Sequence, residues 1–275
     1  MQAASSYLFV PGERAERFDK ALASGADRVI LDLEDAVLPE AKSRARDTLH
    51  GWLEQHGADA RVLVRVNGVE TPWHEDDLRL AALPGVAGIM LPKTERAGDL
   101  VRVRAALRES QTLYALIETV DALVRLREIA AVAGLTRLAF GSYDFCSDAG
   151  IGDDRAALDP VRTQLVIESR HARLPAPVDG VTLALGDDAA LADDVRHARL
   201  FGMGAKLCIH PRQVESVKRG FLPTEAECAW AQRVLDAIAH AGAGAIAVDG
   251  KLVDRPIIER AKTIMSQVAA PADHA

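Results

Sequence analysis

Eight short aliphatic stretches recur along this 275-residue chain, and each is followed by a stretch with helical spacing. The aliphatic stretches lack polar alternation, which is typical of parallel strands covered on both faces. The stretches between them carry apolar residues at i, i+3 and i+4, as amphipathic helices do. The predicted strands are residues 6–10, 28–35, 61–67, 88–93, 112–119, 137–144, 178–183 and 205–211. The predicted helices are residues 15–24, 40–55, 74–83, 99–110, 122–132, 160–173, 188–202 and 213–221.

Eight strand–helix units in about 220 residues predict an α/β fold, a (β/α)8 TIM barrel. A doubly wound open sheet is the alternative, although no Gly-x-Gly-x-x-Gly follows the first strand, which disfavours a dinucleotide-binding fold. Two further helices are predicted at residues 223–243 and 255–269. We therefore expect a catalytic barrel at residues 1–222 and a C-terminal helical extension at residues 223–275, which packs on the barrel or on a neighbouring subunit.

Charge and cysteine content exclude several classes of function. The net charge is −7 and no basic run stands out, which disfavours a nucleic-acid partner. No apolar run is long enough to span a bilayer, and the N-terminal residues lack the features of a secretory signal. Cys146, Cys208 and Cys228 are odd in number and widely spaced, with no metal motif. We expect a cytoplasmic protein without a membrane partner.

Polar residues follow most of the predicted strands at the point where each strand ends. They are Asp32, Glu34, Asp35, Arg65, Asn67, Lys93, Glu118, Asp144 and His210. In a barrel of this kind the carboxyl ends of the strands meet at one rim, where active sites form. Glu118 ends a strand that is otherwise apolar, and an unpaired buried carboxylate is costly. The sequence therefore predicts a partner for Glu118 at that rim.

Glu118 and Asp144 end neighbouring predicted strands, which would place them about 4.8 Å apart. Two carboxylates at that distance repel each other unless a cation lies between them. Mg²⁺ accepts one or two protein carboxylates and keeps several waters, whereas the lack of a His or Cys cluster disfavours zinc. The alternative is that both acids form structural ion pairs with Arg65 or Lys93.

Three other residues, Arg65, Cys146 and His210, are considered for catalytic or binding roles. Arg65 presents a fork that suits a carboxylate or thioester oxygen, but it also suits a brace for Glu34 or Asp35. Cys146 is disfavoured as a nucleophile because no His stands at a useful spacing. His210 is more consistent with a loop or phosphate contact than with a general base.

The chain resembles the citrate lyase β-subunit-like family within the HpcH/HpaI aldolase superfamily. The resemblance is carried by eight stretches in order: SYLFVPGERAERFDKAL, DRVILDLEDAV, RVLVRVNG, GIMLPK, ALIET, LAFGSYDF, AKLCIHP and DGKLVDRPIIERA. It implies a Mg²⁺-dependent barrel, usually trimeric or a dimer of trimers, that acts on acyl thioesters of coenzyme A or of an acyl carrier. The chain differs from the family in a short loop after Asp144, in an irregular seventh strand and in its shorter length.

The resemblance also implies roles for individual residues. Glu118 and Asp144 match the family's metal ligands, and Arg65 matches its substrate-binding arginine. Glu118 is also expected to contact the substrate. Asp254 matches a catalytic aspartate that reaches the neighbouring subunit's active site. The residues expected around the metal waters are Glu34 and Asp35. Our candidates for contacts to the coenzyme A phosphates are Arg14 and Lys20, because they lie beside the VPG turn after the first strand.

With this resemblance we expect a lyase that breaks or forms the carbon–carbon bond of a β-hydroxyacyl-CoA thioester, with malyl-, citramalyl- and citryl-CoA as the obvious substrates. The products would be an acyl-CoA and a 2-keto acid. One alternative is an aldolase of the same superfamily that acts on free pyruvate or oxaloacetate. Another is a non-catalytic subunit that binds acyl thioesters.

Overall fold

The computed structural model describes residues 4–56, 59, 61–240 and 246–269, and its central feature is a closed barrel of eight parallel strands. The strands follow one another around the barrel in chain order, and the eighth closes it by pairing with the first. They are β1 (Ser6–Pro11), β2 (Arg28–Asp32), β3 (Val62–Arg65), β4 (Gly88–Leu91), β5 (Thr112–Ile117), β6 (Arg137–Phe140), β7 (Val178–Asp179) and β8 (Ala205–Cys208). The predicted (β/α)8 TIM barrel is confirmed.

Helices connect the barrel strands and continue beyond β8. They are α1 (Phe18–Leu22), α2 (Lys42–His56), α3 (His74–Leu78), α4 (Ala97–Ala106), α5 (Val120–Val124), α6 (Leu126–Ala130), α7 (Ser142–Ala149), α8 (Arg155–His171), α9 (Asp188–Leu200), α10 (Pro211–Phe221), α11 (Glu225–His240) and α12 (Arg255–Ala269). Single 3-10 turns lie at Ala15–Arg17, Pro39–Ala41 and Arg79–Ala82. A two-stranded antiparallel sheet, β9 (Ile246–Val248) and β10 (Lys251–Val253), lies between α11 and α12.

The interior of the barrel is filled by side chains rather than open, as in other barrels of eight strands. These interior side chains are Tyr7, Ile30, Leu63, Met90, Tyr114, Leu116, Ala139, Val178, Ala205 and Leu207. Tyr7 and Tyr114 meet edge to face, with ring centroids 5.6 Å apart. A packed interior leaves only the rim available for a ligand.

The chain divides into two compact units, the barrel unit from Ala4 to Lys218 and a C-terminal unit that begins at Arg219. The C-terminal unit has a small core of its own, made of Ala231, Val234, Ala261 and Ile264. The guanidinium of Arg260 lies over the ring of Trp230, 5.3 Å from its centroid. The assignment of residues 223–275 to an extension that packs on the barrel or on a neighbouring subunit stays a prediction.

The predicted strand boundaries at the rim are too long. The strands predicted at 28–35, 61–67, 88–93, 112–119 and 205–211 end at Asp32, Arg65, Leu91, Ile117 and Cys208. The regular ladder stops there because the chain turns into loops at the rim, where only single hydrogen bonds continue, such as that from the Leu33 N–H to the Arg65 carbonyl at 2.9 Å. The strand predicted at 178–183 is reduced to Val178–Asp179.

The prediction that Asp144 ends a strand is wrong. Strand β6 ends at Phe140, Gly141 turns the chain, and Asp144 lies in the first turn of helix α7. An acidic residue is favoured in the first turn because the N-terminal end of a helix carries partial positive charge. Glu118 and Asp144 therefore do not face each other across two paired strands.

Several predicted helices have other bounds in the structure; those predicted at 74–83 and 99–110, for example, are His74–Leu78 and Ala97–Ala106. The helix predicted at 160–173 begins at Arg155, because the side chain of Asp154 caps it by accepting a hydrogen bond from the Ala156 N–H. The helix predicted at 122–132 is divided into α5 and α6. The end of the helix predicted at 223–243, and the start of the segment after it, lie outside the described residues.

No helix in the described part of the chain has both the length and the apolar character needed to cross a membrane. A cytoplasmic location stays a prediction.

Candidate active site

The carboxyl ends of the barrel strands surround a cavity of about 410 Å³. It is lined by Phe9, Pro11, Asp32, Asp35, Ala36, Arg65, Leu116, Glu118, Phe140, Gly141, Ser142, Tyr143, Asp144, Val181, Leu207 and Ile209. These residues come from seven of the eight strands or from the segments that directly follow them, and only β4 contributes none. The cavity therefore brings together Arg65, Glu118, Asp144 and Asp35 from the predicted site.

Glu118 follows directly after β5 and is 1% exposed. Its Oε1 atom accepts a hydrogen bond from the Lys93 main-chain N–H at 2.8 Å, whereas its Oε2 atom has no hydrogen-bond partner among the described residues. Burial, reinforced by the negative charge of Glu34, raises the pKa of Glu118 to about 8. The ionised form of this carboxylate therefore needs a positive charge that these contacts do not supply.

Asp144 lines the same cavity from the first turn of α7. Burial, and then the negative charge of Asp35, raises its pKa. Neither Asp144 nor Glu118 is ion-paired with Arg65 or Lys93, since both cations are paired with other carboxylates. The alternative that Arg65 or Lys93 neutralises the two acids as structural ion pairs is therefore wrong.

Arg65 ends β3 and is held by a fork of two hydrogen bonds to Asp32, Nε to Oδ1 and Nη2 to Oδ2, each 2.7 Å long. Its Nη1 atom lies 3.0 Å from Glu34 Oε2 and 3.3 Å from Asp35 Oδ2. The guanidinium also lies over the ring of Phe9, 4.7 Å from its centroid. Arg65 is thus braced by Glu34 and Asp35, as its second reading predicts, while it still lines the cavity.

The buried charges around Arg65 stabilise one another. Burial alone would lower the pKa of Arg65, but the charge and hydrogen bonds of Asp32 raise it. Burial would likewise raise the pKa of Asp32, but Arg65 holds it below its ordinary value. The pair is a bidentate ion pair in a site of low dielectric, where such a pair fixes geometry.

Lys93 completes this arrangement. Its Nζ atom makes a short hydrogen bond to Glu34 Oε1 and lies 3.7 Å from Asp35 Oδ1. Burial would lower the pKa of the Lys93 ammonium, but the hydrogen bond and charge of Glu34, together with the charges of Asp35 and Glu118, outweigh burial and raise it. Lys93 therefore stays a cation, and its ammonium makes its direct ion pairs with Glu34 and Asp35.

The donor set fits a hard divalent cation. The unpartnered oxygen of Glu118 and the carboxylate of Asp144 line one cavity, and neither residue makes an ion pair with Arg65 or Lys93, whose partners are other carboxylates. In the described residues no group of three or more His, Cys, Asp or Glu side chains could hold a metal ion without other ligands. Two carboxylates with coordination positions left for water and substrate are what Mg²⁺ takes, and not what a zinc cage provides.

Four predicted site residues are not among those that line the cavity: Glu34, which braces Arg65, and Arg14, Lys20 and Asp254. Arg14, in the turn after β1, is ion-paired with Glu16 at 2.6 Å, and Lys20 is an exposed residue of α1. Asp254 belongs to the C-terminal unit, where its side chain accepts a hydrogen bond of 3.3 Å from the Ile257 N–H at the start of α12. Their roles stay predictions.

Two residues contribute to the site although the sequence does not predict a role for them. Asp32 was recognised as a strand-end acid, but its fork to Arg65 depends on β2 and β3 pairing in register, with Asp32 opposite Arg65. Gly141 was not recognised at all. A Cβ atom at this position would lie 2.4 Å from Glu118 Oε2 and 2.6 Å from Glu118 Cβ, so only glycine leaves room for that side chain.

A second cavity of about 350 Å³ shares Ser142, Tyr143 and Val181 with the first. Its two buried cations are both paired with Asp179, Lys206 at 3.2 Å and Arg162 at 2.9 Å. These contacts tie β7, β8 and α8 together and indicate a structural network.

Comparison with known proteins gives one family. The family model described as HpcH/HpaI aldolase/citrate lyase matches residues 5–211. A "citrate lyase subunit beta-like protein" of Deinococcus radiodurans is 36% identical over 96% of this chain and 97% of its own length. A "(3S)-malyl-CoA thioesterase" of Cereibacter sphaeroides is 35% identical over 97% of this chain and 95% of its own length. The crystal structure of Mycobacterium tuberculosis CitE with magnesium, acetoacetate and coenzyme A superposes with a TM-score of 0.85, at 31% identity over 98% of this chain and 100% of that one.

Proposed function

This chain belongs to the HpcH/HpaI aldolase/citrate lyase family, and on that premise we propose that it is a Mg²⁺-dependent carbon–carbon lyase of β-hydroxyacyl-CoA thioesters. Malyl-, citramalyl- and citryl-CoA are the expected kinds of substrate, and an acyl-CoA and a 2-keto acid are the products. The observation that carries this proposal is the unpartnered, buried oxygen of Glu118, which lines a cavity with Asp144 and the fixed guanidinium of Arg65. The magnesium and coenzyme A bound to the similar M. tuberculosis protein support it.

Glu118 and Asp144 would hold the metal in this proposal. A bound Mg²⁺ supplies Lewis-acid polarisation of the carboxylate and hydroxyl oxygens of the 2-hydroxy acid portion. As the substrate hydroxyl loses its proton, its carbon becomes the carbonyl of the 2-keto acid. The electron pair of the broken carbon–carbon bond passes to the other fragment, which leaves as a thioester enolate.

Arg65 would stabilise the negative charge that develops on the enolate oxygen. Its three hydrogen bonds to Asp32 and Asp35 leave other N–H groups of the guanidinium for the substrate. Because Asp32 and Phe9 already fix its orientation, little reorganisation is needed when the charge appears. Preorganised donors of this kind act as an oxyanion hole does.

Asp254 would carry the proton to or from the enolate carbon, from a neighbouring subunit of a homo-oligomer, a trimer or a dimer of trimers. This assignment is supported by the family resemblance of the segment LVDRP. Mixed oligomers of Asp254→Ala and Arg65→Ala subunits should recover part of the activity that each variant lacks alone. Failure to recover activity in oligomers proven to be mixed would refute the cross-subunit assignment.

Arg14 and Lys20 would contact the phosphates of coenzyme A. Arg14 lies in the turn after β1, Lys20 lies in α1, and both are exposed, so either can reach a ligand. The double substitution Arg14→Ala and Lys20→Ala should raise KM for the thioester and leave kcat nearly unchanged, because these contacts bind substrate and transition state equally. An unchanged KM would exclude both residues.

The experiment that tests the function is a spectrophotometric screen of malyl-, citramalyl- and citryl-CoA with Mg²⁺ and with EDTA. We expect a 2-keto acid to form only with Mg²⁺, trapped as its phenylhydrazone, and at least one of the thioesters to be cleaved. Turnover of free pyruvate or oxaloacetate without any thioester would favour the aldolase reaction instead. Cleavage that is unaffected by EDTA would overturn the role of the metal.

Hydrolysis of the thioester is the second candidate, because a relative at 35% identity is named (3S)-malyl-CoA thioesterase. The two reactions differ in their products. A lyase converts malyl-CoA to acetyl-CoA and glyoxylate and keeps the thioester bond, whereas hydrolysis releases malate and the free thiol of coenzyme A. A thiol reagent such as DTNB, used beside the phenylhydrazine assay, separates the two. Free thiol without keto acid would replace the lyase assignment with the thioesterase one.

A further inference from the structure

Lys93 has an unusual backbone conformation for its residue type. Its φ angle is 44°, in the left-handed region that residues with a Cβ atom rarely adopt. The residues around it hold this conformation in place. Thr94, which is fully buried, donates its N–H to the Leu116 carbonyl at 3.3 Å and its hydroxyl to the Leu91 carbonyl at 2.8 Å. A strained backbone conformation that its neighbours hold in place is often part of how a site is built.

The consequence of this conformation is the direction of the Lys93 N–H. It donates to Glu118 Oε1 at 2.8 Å, and it is the one described hydrogen bond to that carboxylate. On the other side, Gly141 leaves the space in which Glu118 Oε2 lies. One oxygen of Glu118 is therefore fixed by a main-chain donor, and the other is left free for a ligand.

The side chain of Lys93 supports the same arrangement. Its ammonium is anchored to Glu34 and Asp35, which in turn hold Arg65. Lys93 is not among the residues that line the cavity, but its main-chain N–H contacts one of them, Glu118.

We propose that Lys93 is a positioning residue of the divalent-cation site, whose left-handed backbone aims its N–H at Glu118 and so orients the metal-binding oxygen. The inference rests on the proposed role of Glu118 as a metal ligand. It adds a residue whose main chain, rather than its side chain, determines the affinity of the site.

A matched pair of variants isolates the backbone. Lys93→Gly and Lys93→Val both remove the ammonium, but glycine adopts a positive φ freely whereas a β-branched residue strongly resists it. The affinity for Mn²⁺, measured by calorimetry or electron paramagnetic resonance without substrate, should be about tenfold or more lower in Lys93→Val than in Lys93→Gly. Equal affinities in the two folded variants would overturn the proposal. If Lys93→Val does not fold, Lys93→Asn and Lys93→Ala form a second pair, because Asn tolerates the left-handed region better than Ala.

A measurement on the metal-free protein separates this inference from the proposed function. The amide of Lys93 should exchange its hydrogen about fivefold or more faster in Glu118→Ala than in the wild type, at unchanged global stability, because its acceptor is gone. An unchanged exchange rate would overturn the proposal even if Mn²⁺ binds. If the wild-type protein binds no Mn²⁺ at all, the metal site fails, and slow exchange that depends on Glu118 would mean only that the hydrogen bond exists, so the positioning role would fall with it.

Discussion

The ion pairs of Arg65 hold its guanidinium in a fixed orientation at the edge of the cavity. A guanidinium that is nearly buried needs compensating charge, and Asp32, Glu34 and Asp35 provide it on one side. These contacts fix the plane of the fork, while the charge of Arg65 persists because Asp32 raises its pKa. A cation with fixed orientation at the edge of a cavity is suited to an oxygen that becomes negative during a reaction.

Removal of Arg65 should therefore affect the transition state more than substrate binding. Arg65→Ala should raise the barrier of the proposed reaction by about 2–4 kcal/mol, the cost of losing one oxyanion-hole donor. Arg65→Lys keeps the charge but loses the two-pronged fork to Asp32, so it should restore only part of the loss. Steady-state kinetics of both variants provide the measurement. Near-wild-type kcat in Arg65→Ala would exclude this role.

Gly141 is needed for space rather than for backbone freedom, since its φ angle is −92°. Gly141→Ala would place a methyl group against Glu118 Oε2 and Cβ, and the Cβ atom cannot move without the backbone. We expect the affinity for Mn²⁺ to fall about tenfold or more, the usual effect of disturbing a metal ligand's support. Gly98→Ala in α4 is the matched control, because nothing lies within 4 Å of its new Cβ. Equal affinities in the two variants would contradict this account of Gly141.

At the scale of the element, the sequence predicts most of what lies inside the barrel and less of what lies at its rim. Strands 28–32 and 112–117 were predictable because unbroken aliphatic runs leave few other structures. The sequence predicts a strand over RLAFGSYD, which would end at Asp144, although only its first half is the apolar run that forms β6. The turn at Gly141 and the start of α7 depend on space and on helix polarity, which a count of apolar residues does not detect.

Hydrogen bonds to Asp27 connect the starts of the first two strands. Asp27, just before β2, accepts hydrogen bonds from the main-chain and hydroxyl groups of Ser5 and Ser6, at 2.9 to 3.1 Å, and pairs with Lys218 at 3.2 Å. Burial would raise the pKa of Asp27, but the hydrogen bonds from Ser5 and Ser6 and the charge of Lys218 lower it below its ordinary 3.8. The ionised form is therefore the one that stabilises the fold.

The sign of the pH dependence follows from this depressed pKa. Asp27 contributes its full stabilisation above pH 3.8, and the contribution is lost as pH falls through its lower folded-state pKa. Asp27→Asn should destabilise the protein by about 1–2 kcal/mol at neutral pH. Urea unfolding of both proteins should show that difference shrinking as pH falls below 3.8. A difference that stays constant down to acid pH would mean that the charge of Asp27 plays no part.

At the scale of the whole molecule, barrel closure was predictable from order alone. Eight strand–helix units in succession leave few arrangements that cover both faces of every strand, and the chain follows the simplest of them. The role of Asp254 could not be derived in this way, because it stands in a separate unit and its predicted partner is a second copy of the chain. Only resemblance to a family pointed to it.

The barrel mouth also has a consequence for global stability, because a site built for a cation destabilises the protein that lacks one. Glu118 is buried with one oxygen unpaired, so Glu118→Gln should increase the unfolding free energy in EDTA by about 1 kcal/mol. Mg²⁺ at a hundred times its Kd should stabilise the wild type by about 2.7 kcal/mol, since it binds the folded state alone, and should stabilise Glu118→Gln far less. Glu109→Gln, on an exposed carboxylate, should respond to Mg²⁺ as the wild type does. Denaturant titrations of the three proteins with Mg²⁺ and with EDTA decide the matter. Equal Mg²⁺ stabilisation of the wild type and Glu118→Gln would remove Glu118 from the metal site, because a ligand's contribution to binding has to appear as stability of the folded state.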